Sequence, residues 1–141
     1  WKNRYFDEYY DGILYAGLIS LGFASLENIL YVFDYGFNTG VYRAFTAIPA
    51  HTFFGITMGY YFSRAKFNHT NTGRNLFLAF FIPLVLHGLY DLVLFEIARF
   101  DEREAAFVIP VAISFWVLMV GMLVWSRKRI KLMLKKDFQN P

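Results

Sequence analysis

Residues 105–125 read AAFVIPVAISFWVLMVGMLVW, an apolar run with no charged side chain and no polar face at a helical period. A helix on the surface of a soluble bundle needs such a face. A helix that crosses a bilayer needs instead roughly 20 mostly apolar residues, and this run meets that requirement. Three more stretches approach the same character: residues 12–33, 44–62 and 76–98. Polar or Gly/Asn-rich turns separate them at 34–40, 63–75 and 99–104. The sequence therefore predicts an all-α polytopic membrane protein, with about four transmembrane helices in one bundle and a single transmembrane domain over residues 1–141.

Composition agrees. Of the 141 residues 57% are hydrophobic, 21% aromatic and only 18% charged, whereas a soluble domain carries about 25% charged and 45–50% apolar residues. Lipid is the simplest cover for the excess. Cysteine is absent, which excludes disulfides and thiolate metal sites. The chain begins with Trp1 and shows no separate signal-type apolar run, so a fragment or a processed product is expected.

Charge fixes an expected orientation. Eleven of the 14 basic residues fall at the N-terminus (Lys2, Arg4), in the second turn (Arg64, Lys66, Arg74) and in a tail over 127–141. Arg43, Arg99 and Arg103 fall on the other side. Cytoplasmic loops hold the excess of Lys and Arg, so both termini are expected in the cytoplasm. The basic tail, with Ile130, Leu132, Met133 and Leu134 among its charges, suits a short helix on the membrane surface. Asp34, Glu96, Asp101, Glu102 and Glu104 collect at the opposite face.

Inside the spans lie Glu27, His51, His87 and Asp91. A charge near the bilayer centre costs about 2.5–3.5 kcal/mol on insertion scales, and such residues usually face the protein interior and mark function. Counted from the expected span ends at ~1.5 Å per residue, Glu27 lies about 9 Å below the outer boundary and His51 and Asp91 about 10 Å. His87 lies about 16 Å below it. His87 and Asp91 are i and i+4, on one helix face. Ala47, His51, Gly55 and Gly59 form another i+4 stripe, whose Gly55–Gly59 pair allows close helix approach. Ala16, Ser20, Ala24 and Asn28 form the matching small-residue stripe beside Glu27. Pro49 and Pro83 precede the two histidines by two and four residues, and each removes a backbone hydrogen bond. Any one of these polar residues alone reads as an interhelical hydrogen-bond partner. Four at similar depth on packing faces read as one site. His69, in a polar turn, reads as solvated.

Two imidazoles and two carboxylates at close range suit a Zn²⁺ ion, held by His51 and His87 with carboxylate help. The metal would activate water and polarise a carbonyl, with a carboxylate as general base. Without metal, a glutamate could activate water while a histidine stabilises the oxyanion. No HExxH pattern is present to favour the metal. The same residue types also serve proton or ion pathways, although no inverted repeat supports a transporter. A non-catalytic membrane scaffold is the third reading.

Four strings in order, Asp11-Gly12-Ile13-Leu14-Tyr15, Gly22-Phe23-Ala24-Ser25-Leu26-Glu27-Asn28-Ile29-Leu30-Tyr31, Pro49-Ala50-His51-Thr52-Phe53-Phe54-Gly55 and His87-Gly88-Leu89-Tyr90-Asp91, resemble the PrsW family of intramembrane proteases. That family is more distantly similar to the CAAX prenyl proteases, whose site also gathers glutamates and histidines from separate membrane helices. The resemblance implies cleavage of a membrane-anchored protein, of anti-sigma-factor type, near the outer side of the bacterial plasma membrane. It implies no nucleic-acid partner. It assigns the site to Glu27, His51, His87 and Asp91, supported by Asn28 and Tyr31. The family's earlier motif, two adjacent glutamates followed by a lysine, belongs to a helix before the Asp-Gly string. Asp7-Glu8 lies too close to Asp11 to be that motif, so this chain is expected to lack it.

Overall fold

Apolar stretches of this length can satisfy their backbone hydrogen bonds in lipid only as helices or closed barrels, and here they form helices. The computed structural model describes residues 4–68, 71–99 and 105–139. His69, the turn at 100–104 and the two chain ends lie outside the described residues. The elements in order are α1 (Tyr9–Tyr35), α2 (Phe37–Phe67), α3 (Thr72–Arg99) and α4 (Ala105–Gln139).

Each helix outruns the apolar core that announces it. The expected turn at 34–40 contracts to Gly36, and α2 starts at Phe37 rather than at 44. Gly36 has φ +87°, a conformation that costs glycine little because it has no Cβ. Its N–H donates to Val32 O at 2.9 Å and closes α1. A one-residue connection forces α1 and α2 antiparallel, and small residues let their backbones touch. A Cβ on Gly59 would stand 2.1 Å from Gly12 O, and one on Gly55 would stand 2.6 Å from Ala16 O. Ser20 Oγ donates to His51 O at 2.5 Å, and Asn28 Nδ2 to Gly40 O at 3.1 Å.

Helix α2 is the centre of the bundle. It packs on α1 and on α3, which do not contact each other among the described residues, and α4 touches all three. Its buried residues include Ala47, Ala50, His51, Phe54, Gly59, Tyr60 and Ser63. Three helical stretches, Tyr9–Tyr35, Thr72–Ile97 and Ile109–Gln139, are long and apolar enough to cross a membrane. Helix α2 does not join them: from Ala47 to Ala65 neighbouring helices largely cover it, and it carries Thr, His and Arg among its apolar residues. Lying antiparallel along α1, it covers the same depth. The outward faces of α1, α3 and α4 expose Ile19, Leu26, Phe33, Phe80, Leu84, Trp116 and Val117, as a lipid-covered bundle requires.

The tail departs from expectation. Helix α4 is continuous to Gln139, and its basic segment is not a separate surface helix. Met133 is fully buried against Ile13, Ile56 and Tyr60. Asp137 accepts the N–H groups of Tyr9 at 2.6 Å and Tyr10 at 2.9 Å. The first N–H groups of a helix have no partner within it, and a carboxylate there also complements the helix dipole. Asp11 does the same for Glu8 N–H at 2.9 Å. Ile130 and Met133, among the tail's charges, therefore pack on protein, while Leu132 and Leu134 stay exposed.

Candidate active site

The central position of α2 decides what His51 meets. From Phe37 to His51 is about 21 Å of helix, and from His51 to Phe67 about 24 Å. The histidine thus sits at mid-helix, deeper than a span starting at 44 implied. It is buried, 4% exposed, between α1 and α3. On the α1 side its Nε2 stands 3.5 Å from Glu27 Oε2. On the α3 side its ring meets the His87 ring edge-on, centroids 4.9 Å apart. His87 Nδ1 stands 3.1 Å from Asp91 Oδ2, one turn along α3. Glu27, His51, His87 and Asp91 therefore form a continuous row across three helices.

Aromatic rings enclose the row. Phe23 stacks on His51 at 5.7 Å, and Phe54 lies 5.6 Å from His51 and 5.5 Å from His87. A carboxylate can only accept, so the 3.1 Å contact suits His87 donating Nδ1–H to Asp91, which leaves the Nε2 lone pair free. His87 and Asp91 are about one-third and two-fifths exposed, whereas His51 is not. The row thus opens on the α3 side. Flanking cavities of about 340 Å³ and 420 Å³ are lined mostly by apolar residues such as Phe62 and Leu86, and none of the four polar groups is among their lining residues.

The supporting residues take different places. Asn28 ties α1 to α2 through Gly40 O. Tyr31 touches neither histidine; its ring carries the Arg43 guanidinium, 3.6 Å from the centroid. Arg43 Nη2 reaches Glu27 Oε2 at 2.7 Å. Sequence reasoning had left Arg43 at the end of an outer loop. The signal that could have found it was present: Arg43, Ala47, His51, Gly55 and Gly59 are one unbroken i+4 stripe.

The residues can be tested against a metal by their chemistry. Imidazole nitrogen and carboxylate oxygen are donors that Zn²⁺ accepts, and Asp91 behind His87 matches the carboxylate that commonly orients a metal-bound histidine. Arg43 Nε and Asn28 Oδ1, beside Glu27, are buried with no hydrogen-bond partner among the described residues, which leaves unspent polar capacity at this spot. The donor types fit. As the side chains stand, no three His, Asp or Glu groups among the described residues converge at metal-holding distance.

Against known families, residues 1–125 match the family described as PrsW family intramembrane metalloprotease. The chain belongs to the PrsW family. Among curated proteins, the protein named Protease PrsW from Oceanobacillus iheyensis is 41% identical over 119 residues, 84% of this chain and 53% of that protein. Protease PrsW from Clostridioides difficile strain 630 is 44% identical over 99 residues, 66% of this chain and 42% of that protein. Protease PrsW from Bacillus subtilis strain 168 is 34% identical over 117 residues, 82% of this chain and 52% of that protein. The chain thus spans about half the length of the curated PrsW relatives it matches. No solved structure matches it.

Proposed function

We propose that this PrsW chain forms part of a peptidase that hydrolyses a membrane-anchored protein within the bilayer. The observation that carries the reading is the row Glu27–His51–His87–Asp91, assembled from α1, α2 and α3, of which α1 and α3 are long and apolar enough to cross a membrane. Ionisable groups are costly there and are retained for function. Membership of an intramembrane metalloprotease family supports the same reading, and a substrate of anti-sigma-factor type follows from the family resemblance. The rival proton pathway would use the same groups, but nothing else in the bundle favours it.

In this reading His51 and His87 would hold a divalent metal such as Zn²⁺, which when bound supplies an acidified water and polarises the scissile carbonyl. Asp91 keeps the Nε2 lone pair of His87 available by holding the proton on Nδ1. Glu27 would take a proton from the attacking water and deliver it to the leaving amine, the general acid–base role. Phe54 and Phe23 pack on His51, which is buried, and keep bulk water from that imidazole, which strengthens its charge interactions.

The full-length protein, reconstituted with a membrane-anchored substrate, tests this directly. Exhaustive chelation should abolish cleavage, and added zinc should restore it. Cleavage that survives chelation would eliminate metal-assisted hydrolysis and leave only glutamate-activated water.

Orientation is part of the proposal. With Arg43 drawn into the bundle, only Arg99 and Arg103 of the outer basic group remain at the α3–α4 turn, against eleven at the opposite end. Reporter fusions after Pro141 and within 63–75 should therefore report cytoplasm, and a fusion at the 99–104 turn should report the outside. An outward C-terminus would reverse the face from which substrate reaches the row.

A further inference from the structure

Arg43 is charged, within a membrane bundle, and its side chain is only 12% exposed. Burying a cation is expensive unless it is paired and hydrogen-bonded, so its surroundings must compensate. They do so from one face of α1. Glu27 and Tyr31 are i and i+4 on that helix and therefore neighbours. The Tyr31 ring supports the flat guanidinium at 3.6 Å while Glu27 Oε2 accepts from Nη2 at 2.7 Å. The oxygen that Arg43 holds is also the one 3.5 Å from His51 Nε2. Arg43 and His51 are themselves two turns apart on the same stripe of α2. A single helix thus presents two groups to one carboxylate oxygen, and Glu27 Oε1 takes no part in either contact.

The geometry points to Arg43 as the positioning residue of the site, which, with Tyr31 as its platform, fixes the Glu27 carboxylate beside His51 and leaves its second oxygen free for the attacking water. This rests on the peptidase reading above. Glutamate has several rotatable bonds and its side chain is a quarter exposed, so without the Arg43 hydrogen bond its carboxylate samples positions away from the histidine. Lysine is not an equivalent, because stacking on Tyr31 and donating sideways at once needs a planar guanidinium. Arg43 touches no reacting atom in this scheme and acts through Glu27.

The test uses the full-length protein in proteoliposomes with a membrane-anchored substrate. A misplacement of about 1 Å costs up to roughly 10²-fold in rate, so Arg43→Met should lower kcat by about 10- to 100-fold, with KM within about twofold and the thermal midpoint unchanged. Arg43→Lys should recover part of that loss. The decisive comparison is made in a Glu27→Gln background, where Arg43→Met should cause no further loss of the residual rate. An equal additional loss in that background would show Arg43 acting independently of Glu27 and would overturn the proposal. So would parental kcat in Arg43→Met, or a fall in thermal midpoint that tracks activity in both Arg43→Met and Arg43→Lys. The underlying reading fails by a different sign: full cleavage by Glu27→Gln and His51→Ala alike.

Discussion

Replacing His87 by alanine in the full-length protein should reduce cleavage of a membrane-anchored substrate by at least 10²- to 10⁴-fold, the range expected when a positioned proton-transfer group is lost. The protein should stay folded and inserted. The side chain of His87 is about one-third exposed and packs on α2 only through the His51 and Phe54 rings, so its removal costs less packing than removal of the buried His51. His51→Ala should abolish activity as thoroughly, but with a second effect. Its ring is buried between Phe23, Phe54 and His87, and excising it leaves a void whose surroundings relax only partly. The two variants therefore separate chemistry from stability. Turnover and thermal midpoint measured together should show both inactive and His51→Ala the less stable. If either variant cleaves at the parental rate, the row from Glu27 to Asp91 is not the active site.

The row was legible because its parts obey simple geometry. His87 and Asp91 share a face at i and i+4, and the small-residue stripe through His51 and Gly59 announced which side of α2 faces α1. Depth was less legible. It was counted from the ends of apolar runs, and α2 continues to Phe37 beyond its apolar run, with Phe37, Tyr42 and Phe45 exposed along that end. The same counting stranded Arg43 outside the bundle, where a lone arginine at a span boundary is usually found. Its pairing with Glu27 and Tyr31 is a tertiary fact that no single-helix pattern contains, although its place on the stripe hinted at it. The tail shows the opposite error. Ile130 and Met133 among lysines and arginines look like an amphipathic surface helix, yet they continue α4 onto α1. The α1 N–H groups that Asp137 caps could not be assigned to it before the helices were placed.

Gly59→Leu should disrupt the site from a distance. Gly59 lies far from the histidines along α2, but a Cβ there would stand 2.1 Å from Gly12 O and 2.6 Å from Ile13 Cα. Both are backbone atoms of α1, which cannot swing aside as a side chain can. The helices must separate locally, and forcing extra atoms into a packed contact costs about 1–3 kcal/mol. Helix contact in lipid depends on close packing of small residues and on interhelical hydrogen bonds rather than on a hydrophobic drive, so apolar burial elsewhere does not restore the lost contact. The consequence for chemistry follows from the register between α1 and α2. Ser20 Oγ to His51 O at 2.5 Å and Glu27 Oε2 to His51 Nε2 at 3.5 Å both need the α1–α2 backbone contact that Gly55 and Gly59 allow. A displacement of about 1 Å between the helices is enough to cost about 10²-fold in rate. Gly59→Leu should thus lower both thermal midpoint and turnover, whereas Gly121→Leu on α4, where a Cβ meets nothing within 4 Å, should leave both near the parent. Equal behaviour of the two leucine variants would mean that the α1–α2 backbone contact does not set the distance between Glu27 and His51.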